Sequence, residues 1–223
     1  MIVDFALLIK IAGAAAAGVL LTWRVCASYG REWREREHLL DTFLPSLQDV
    51  RVGRSPWGYP RVEGLLSGSL ARFDLIPDTL VFRSLPTLWL QVRWARRHSA
   101  RLCVTVEQTG TEFFETDDEV YSLLHTLARW PRNTDVRGQG DSFSLLQQIE
   151  RLDLTAYPSL KRLMVSENEL KVTMRCARGD RLAYRVLRSA QFPPNAVSPE
   201  LVAETLALLN DVEDTVNAEA AAL

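Results

Sequence analysis

The sequence predicts an α+β chain: an N-terminal transmembrane helix followed by one soluble domain of antiparallel sheet with packed helices. Three observations predict it. Residues 5–23 form an apolar run of about bilayer length. Short runs with a period of two recur from 61 to 107 and again from 160 to 189. Two later segments open with helix-start chemistry, at Thr116 and at Ser198.

The anchor comes first. Phe5 to Trp23 reads FALLIKIAGAAAAGVLLTW, apolar except for Lys10 and the mild Thr22. About 20 helical residues cross a hydrocarbon core of ~30 Å. A lysine costs about 2.5–3.5 kcal/mol at the helix centre and less off-centre, where its stem snorkels. Trp23, with Tyr29 and Trp33, fits an aromatic belt at the membrane interface. Arg24, Arg31, Arg34 and Arg36 form a basic flank after the span, while only Met-Ile-Val-Asp precedes it. Positive charge stays on the cytoplasmic side. The expectation is a single-pass protein of the cell membrane with its C-terminal domain in the cytoplasm. The alternative is a cleaved signal peptide with Val25-Cys26-Ala27 as the cleavage site, which would make the chain exported. Gly13, Ala14, Ala17 and Gly18 create small-xxx-small spacings, which let helices approach closely in lipid. A plain alanine-rich anchor would show the same residues.

This places the anchor at 1–30, a stalk helix and linker at 31–58, and the α+β domain at 59–223. The stalk, REWREREHLLDTFL, runs to Pro45, with Leu39, Leu40, Phe43 and Leu44 docking on the domain. Residues 49–60 are rich in Gly and Pro and read as the linker. Strands are expected at 61–66, 69–76, 79–85, 88–94 and 101–107, joined as an antiparallel meander. A helix is expected over 115–130, with Thr116 and Glu119 as capping box, and another over 142–152. Further strands are expected at 160–165, 170–176 and 181–189. The last helix has Ser198 as N-cap and Pro199 at its first position, with Leu201, Thr205, Leu208 and Val212 on one face. Asp78 to Leu85 and Asp180 to Leu187 both fit Asp-x-Leu-x-aromatic-Arg-x-Leu, each some twenty residues after a Tyr-Pro, at Tyr59 and Tyr157. Two pseudo-repeated lobes would produce this pattern, and so would convergence of turn-plus-strand sequences.

Composition narrows the function classes. The chain has 223 residues, 47% hydrophobic and 24% charged, with a net charge of -2. This suits a folded core and argues against nucleic acid as a partner. Cys26, Cys103 and Cys176 are scattered, which suits a reducing compartment rather than a disulfide framework. His38, His98 and His125 lack metal-ligand spacing. Ser67, Ser69 and Ser84 lie in no nucleophile elbow, and Ser67-Gly68-Ser69 reads as a hairpin turn. Gly138 to Ser142 opens a helix but has no phosphate-loop lysine, so Asp141 or Ser142 is expected as a cap. Asp117 and Asp118 complement a helix dipole better than they make an acid–base pair. No catalytic, cofactor-binding or metal-ligating residue is assigned. Arg93, Arg96 and Arg97, interleaved with Trp89 and Trp94, are the candidate contacts to an anion or partner. The expected function is non-catalytic: protein interaction or assembly of a membrane complex, with lipid and another membrane protein or a second copy as partners. The alternative is a membrane-tethered ligand-binding module or an enzyme with a dispersed site.

Overall fold

The computed structural model describes residues 18–20, 22–24, 34, 36–78, 85–98, 100–107, 122–124, 130–131, 133–139, 142–181, 184 and 190–220, with only the backbone for 218–220. The chain divides into two compact units, Met1–His38 and Leu39–Leu223. In the first unit, residues 18–20, 22–24, 34, 36 and 37 are helical. Thr22 Oγ1 donates to the Gly18 carbonyl at 2.8 Å, the back-bond a helical threonine makes one turn down. Most of the expected span over 5–23 lies outside the described residues. Among those described, no helix is long and apolar enough to cross a membrane.

The second unit is α+β, built on one nine-stranded sheet in which every pairing is antiparallel. The strands are β1 (Gln48–Arg54), β2 (Pro60–Leu66), β3 (Ser69–Asp78), β4 (Thr87–Ala95), β5 (Arg101–Thr105), β6 (Ser122–Leu123), β7 (Asp135–Gln139), β8 (Leu160–Val165) and β9 (Glu169–Arg178). Their order across the sheet is β1-β2-β3-β4-β9-β8-β5-β7-β6. Among the described residues, the helices α1 (Ser142–Ile149) and α2 (Pro199–Ala220) bury side chains in the core.

Alternation along the strands sends one set of side chains into that core. Phe73, Leu75, Leu88, Leu90, Val92, Trp94, Leu170, Val172 and Met174 are fully buried on one face. Each large side chain of this kind contributes about 1.5–3 kcal/mol on burial. Trp94 also needs a partner for its indole N–H, and donates to the Leu66 carbonyl at 3.1 Å. The α2 residues Leu201, Thr205, Leu208 and Val212 are all buried, as their spacing requires. Ser198 Oγ accepts from the Leu201 N–H at 3.2 Å, so the expected N-cap forms. Phe43, in the 3₁₀ turn Asp41–Ser46, stacks on Phe73 with ring centroids 4.6 Å apart. Ser67 and Gly68, with φ of 48° and 75°, make the two-residue turn between β2 and β3 that a right-handed twist favours.

Five expectations change. Residues 49–60 are largely strand rather than linker, because pairing with β2 outweighs Gly53 and the nearby prolines. Pro45 lies inside the 3₁₀ turn instead of ending a helix. Within the helix expected over 115–130, Ser122–Leu123 is a strand on β7, and 115–121 and 125–129 lie outside the described residues. Arg181 and Tyr184 are helical, with the Tyr184 N–H bonded to the Asp180 carbonyl at 3.1 Å, where a strand was expected. The meander stops at β4: β9 and β8 come between β4 and β5. The strand expected over 79–85 lies outside the described residues except Leu85, which is not in a strand. The paired hairpins β2–β3 and β8–β9 do not form separate lobes; they flank β4 within the one sheet. Most of both Asp-x-Leu-x-aromatic-Arg-x-Leu stretches lies outside the described residues.

Candidate functional site

Four places gather polar or exposed apolar groups. The first is the sheet face opposite the core. Strand register aligns Glu63, Arg72, Arg93 and Lys171 directly across β2, β3, β4 and β9. Three neighbouring cations would repel one another. Acceptors are built in beside them. Asp74 receives Arg72 Nε at 2.7 Å and Arg61 Nε at 2.5 Å, and Arg93 Nε donates to Gln91 Oε1 at 3.0 Å. Farther along, Arg162 Nε lies 3.1 Å from Cys103 Sγ, and Arg137 pairs with Asp135 at 2.7 Å. Asp74, Arg162 and Lys171 are buried, and the two arginines that meet Asp74 compensate its charge inside the fold.

The second is the end of β4. The Arg96 guanidinium lies 3.8 Å above the Trp94 ring, donates to Ser69 Oγ, and pairs with Glu213 of α2 at 2.8 Å. It therefore clasps β4, the start of β3 and α2. His98 is held by its backbone N–H to the Glu167 carbonyl at 3.1 Å. Neither of its ring nitrogens has a hydrogen-bond partner among the described residues. Burial, and then the Arg96 charge, hold the imidazole below its ordinary pKa, favouring the neutral form.

The third is a cleft of about 350 Å³ at the start of α2, lined by Ser159, Arg175, Cys176, Asn195, Glu200 and Glu204 among others. Glu204 Oε1 already accepts the Ser159 N–H at 2.8 Å. Burial pushes the Cys176 thiol far up, which removes the thiolate a nucleophile needs. Nearby, the Tyr157 hydroxyl donates to Asp211, and burial followed by that bond raises its pKa well beyond the usual tyrosine range. Among the described residues no group of three or more His, Cys, Asp or Glu could hold a metal ion.

The fourth is β1, at one edge of the sheet. All seven of its residues are exposed. Val52 pairs with Val62 and shares its face, yet Val52 is 65% exposed and Val62 only 1%. The packed layer ends at β2. Val50 and Trp57 are exposed beside Val52. A bulge between Gln48 and Arg51, with Asp49 at φ 50°, bends the start of the strand. The Ser55 N–H donates to the Tyr59 carbonyl at 2.8 Å. Bonded and non-bonded pairs alternate along an antiparallel ladder. Gly53/Arg61 is therefore a bonded pair and Val52/Val62 is not, so the N–H and C=O of Val52 point away from β2. Pro60, opposite Arg54, has no N–H to give, which fits this phase.

No protein-family model, curated protein or solved structure matches the chain.

The expected site residues are not brought to one place. Gly13, Ala14, Ala17 and Arg31 lie outside the described residues. Gly18, Trp23, Arg24 and Arg34 are helical and exposed. Arg93 belongs to the charged face and Arg96 to the clasp, while Arg97 is exposed. Gly138 lies in β7, where a Cβ would overlap Ser142 Oγ and Leu124, so close packing accounts for that glycine. His125, Asp117 and Asp118 lie outside the described residues. Sequence reasoning missed β1 because Gly53, Pro56, Gly58 and Pro60 resemble a linker; the alternating Val50 and Val52 were the available signal.

Proposed function

We propose that this chain is a non-catalytic, single-pass membrane protein whose cytoplasmic unit binds a protein partner and holds it at the membrane. The anchor spans residues 5–23, within 1–30, and meets lipid at Trp23, Arg24, Arg31 and Arg34. Its small-residue face, Gly13, Ala14, Ala17 and Gly18, offers a second contact to another membrane protein or to a second copy. The observation that carries the reading is the bare edge of β1. Sheets ordinarily protect such an edge by shortening or covering it. Here a seven-residue strand is exposed, with Val50, Val52 and Trp57 beside outward-pointing backbone groups. Strand addition to an open edge gains affinity from main-chain hydrogen bonds and selectivity from alternate side chains.

The test is site-specific photo-crosslinking of the full chain in membranes. A photoreactive residue at Val52 is expected to trap a discrete protein, while one at Phe143, equally exposed on α1, is not. The same products from both sites, or none from Val52, would refute the docking role. Membrane insertion is checked separately by alkaline extraction and by a reporter fused to Leu223. Release of the chain, or reporter activity only outside the cytoplasm, would refute the anchor.

A further inference from the structure

We infer that His98 is a proton-operated release for the end of α2: when its ring gains a proton, the Arg96–Glu213 tie breaks, and the helix loosens from Glu213 onward while the rest of the unit stays folded. The inference concerns the second unit alone and depends neither on an anchor nor on docking at β1. Three observations carry it.

The first is where the ring sits. Arg97 is exposed, while Arg96 and His98 on either side of it are half-buried, so these two turn inward together. The backbone holds them there. The Arg96 N–H donates to the Asn168 carbonyl and the His98 N–H to the Glu167 carbonyl, each at 3.1 Å.

The second is a shortage of acceptors. Three buried nitrogens in this corner have no hydrogen-bond partner among the described residues: Arg96 Nε and both ring nitrogens of His98. A neutral imidazole carries one N–H, and an imidazolium carries two and a charge. Protonation therefore adds a donor and a positive charge next to a guanidinium that already has an unmet donor. The surrounding carboxylates are committed or turned away. Glu213 of α2 is held by Arg96 at 2.8 Å, and Glu167, in the turn between β8 and β9, by Arg101 of β5 at 3.2 Å. Glu169 pairs with Ala95 and so lies on the sheet face opposite to Trp94. Arg96 is the charge that acts on the ring, and it repels the protonated form.

The third is what Arg96 holds. Of its contacts to Trp94, Ser69 and Glu213, the ion pair is the one that reaches α2. It sits where the packing of that helix changes. Before it, Leu208, Leu209 and Val212 are fully buried. After it, Val216 is the hydrophobic side chain packed on the core among the described residues, and it is only partly buried. From Glu213 to Ala220 α2 runs on for about two turns. Loss of the tie thus frees this end and leaves the buried stretch in place.

Hydrogen exchange of the full chain, read by mass spectrometry in neutral and in mildly acidic buffer, tests the release. Rates are corrected for the pH dependence of chemical exchange. Peptides over 213–220 are expected to lose protection several-fold on acidification, and those over 199–212 to keep it. His98→Gln, which takes up no proton, is expected to keep protection over 213–220 in both buffers. Glu213→Gln removes the tie and is expected to show low protection there in both. Unchanged protection in the parent would overturn the inference, and so would a loss shared equally by 199–212 or an equal loss in His98→Gln. Glu213→Gln, at a partly exposed position, decides the matter even if His98→Gln does not fold: a pH response over 213–220 as large as the parent's would overturn the inference.

Discussion

Val52 and Val62 are the same residue, face the same way and sit directly opposite each other, yet one lies in water and the other in the core. The difference comes from what lies above each strand. Val62 belongs to the core cluster, with Phe73 as its neighbour on β3, whereas the residues of β1 are all exposed. Alternation in a sequence therefore marks which face a residue occupies, while burial depends on elements from elsewhere in the chain. At the far edge, the described part of β6 is Ser122–Leu123, paired with β7.

The largest expected effect tests this pair directly. Val62→Asp puts an unpaired carboxylate into the core and is expected to leave little folded protein, whereas Val52→Asp leaves the unfolding free energy in urea within about 0.5 kcal/mol of the parent. Equal losses would mean that β1 is covered after all. A milder pair sharpens the estimate: Val62→Ala is expected to cost about 1–3 kcal/mol in chemical unfolding, and Val52→Ala almost nothing.

The next effect concerns the helix on the covered side. Ser198→Ala removes the acceptor of the Leu201 N–H and should cost about 1 kcal/mol, read as a lower denaturation midpoint. It should not change crosslinking at Val52 if edge and core are independent.

The smallest effect is set by pH. His98 has a folded pKa below its ordinary 6.5, so the unfolded chain binds the proton more readily. Its contribution is complete above 6.5 and declines as pH falls toward the folded value. Urea midpoints should drop between neutral and mildly acidic buffer, and His98→Gln should flatten that part of the profile. An unchanged slope in His98→Gln would assign the dependence to other groups. Asp153 and Glu200 have lowered values too, but they begin to titrate only at the lower pH of carboxylates.

The sequence revealed local features better than distant ones. Ser198, Pro199 and the spacing from Leu201 to Val212 defined α2, because capping and amphipathicity act within a few residues. The strands β2, β3, β4, β5, β8 and β9 were legible from alternation. The neighbours of β4 and β5 were not, since pairing with β9 and β8 joins residues far apart in sequence. Arg181 and Tyr184 alternate as a strand would yet are helical, so the local pattern alone was ambiguous there. Arg96 looked like an anion contact because neither Glu213 nor Ser69 is near it in sequence. The bare edge was hidden for a related reason: no sequence period records that a covering layer stops one strand short.

The insertion of β9 and β8 between β4 and β5 sets the order of assembly during synthesis. As the chain leaves the ribosome, β1 to β4 emerge first and can pair as a meander, but β4 then presents a second open edge to the cell. It stays open until residues near Arg178 have emerged. The nascent chain therefore passes through a stage with two sticky borders, and only one of them is closed by its own later sequence. Chains truncated before Glu169 would remain at that stage, as substrates for chaperones or seeds for aggregation.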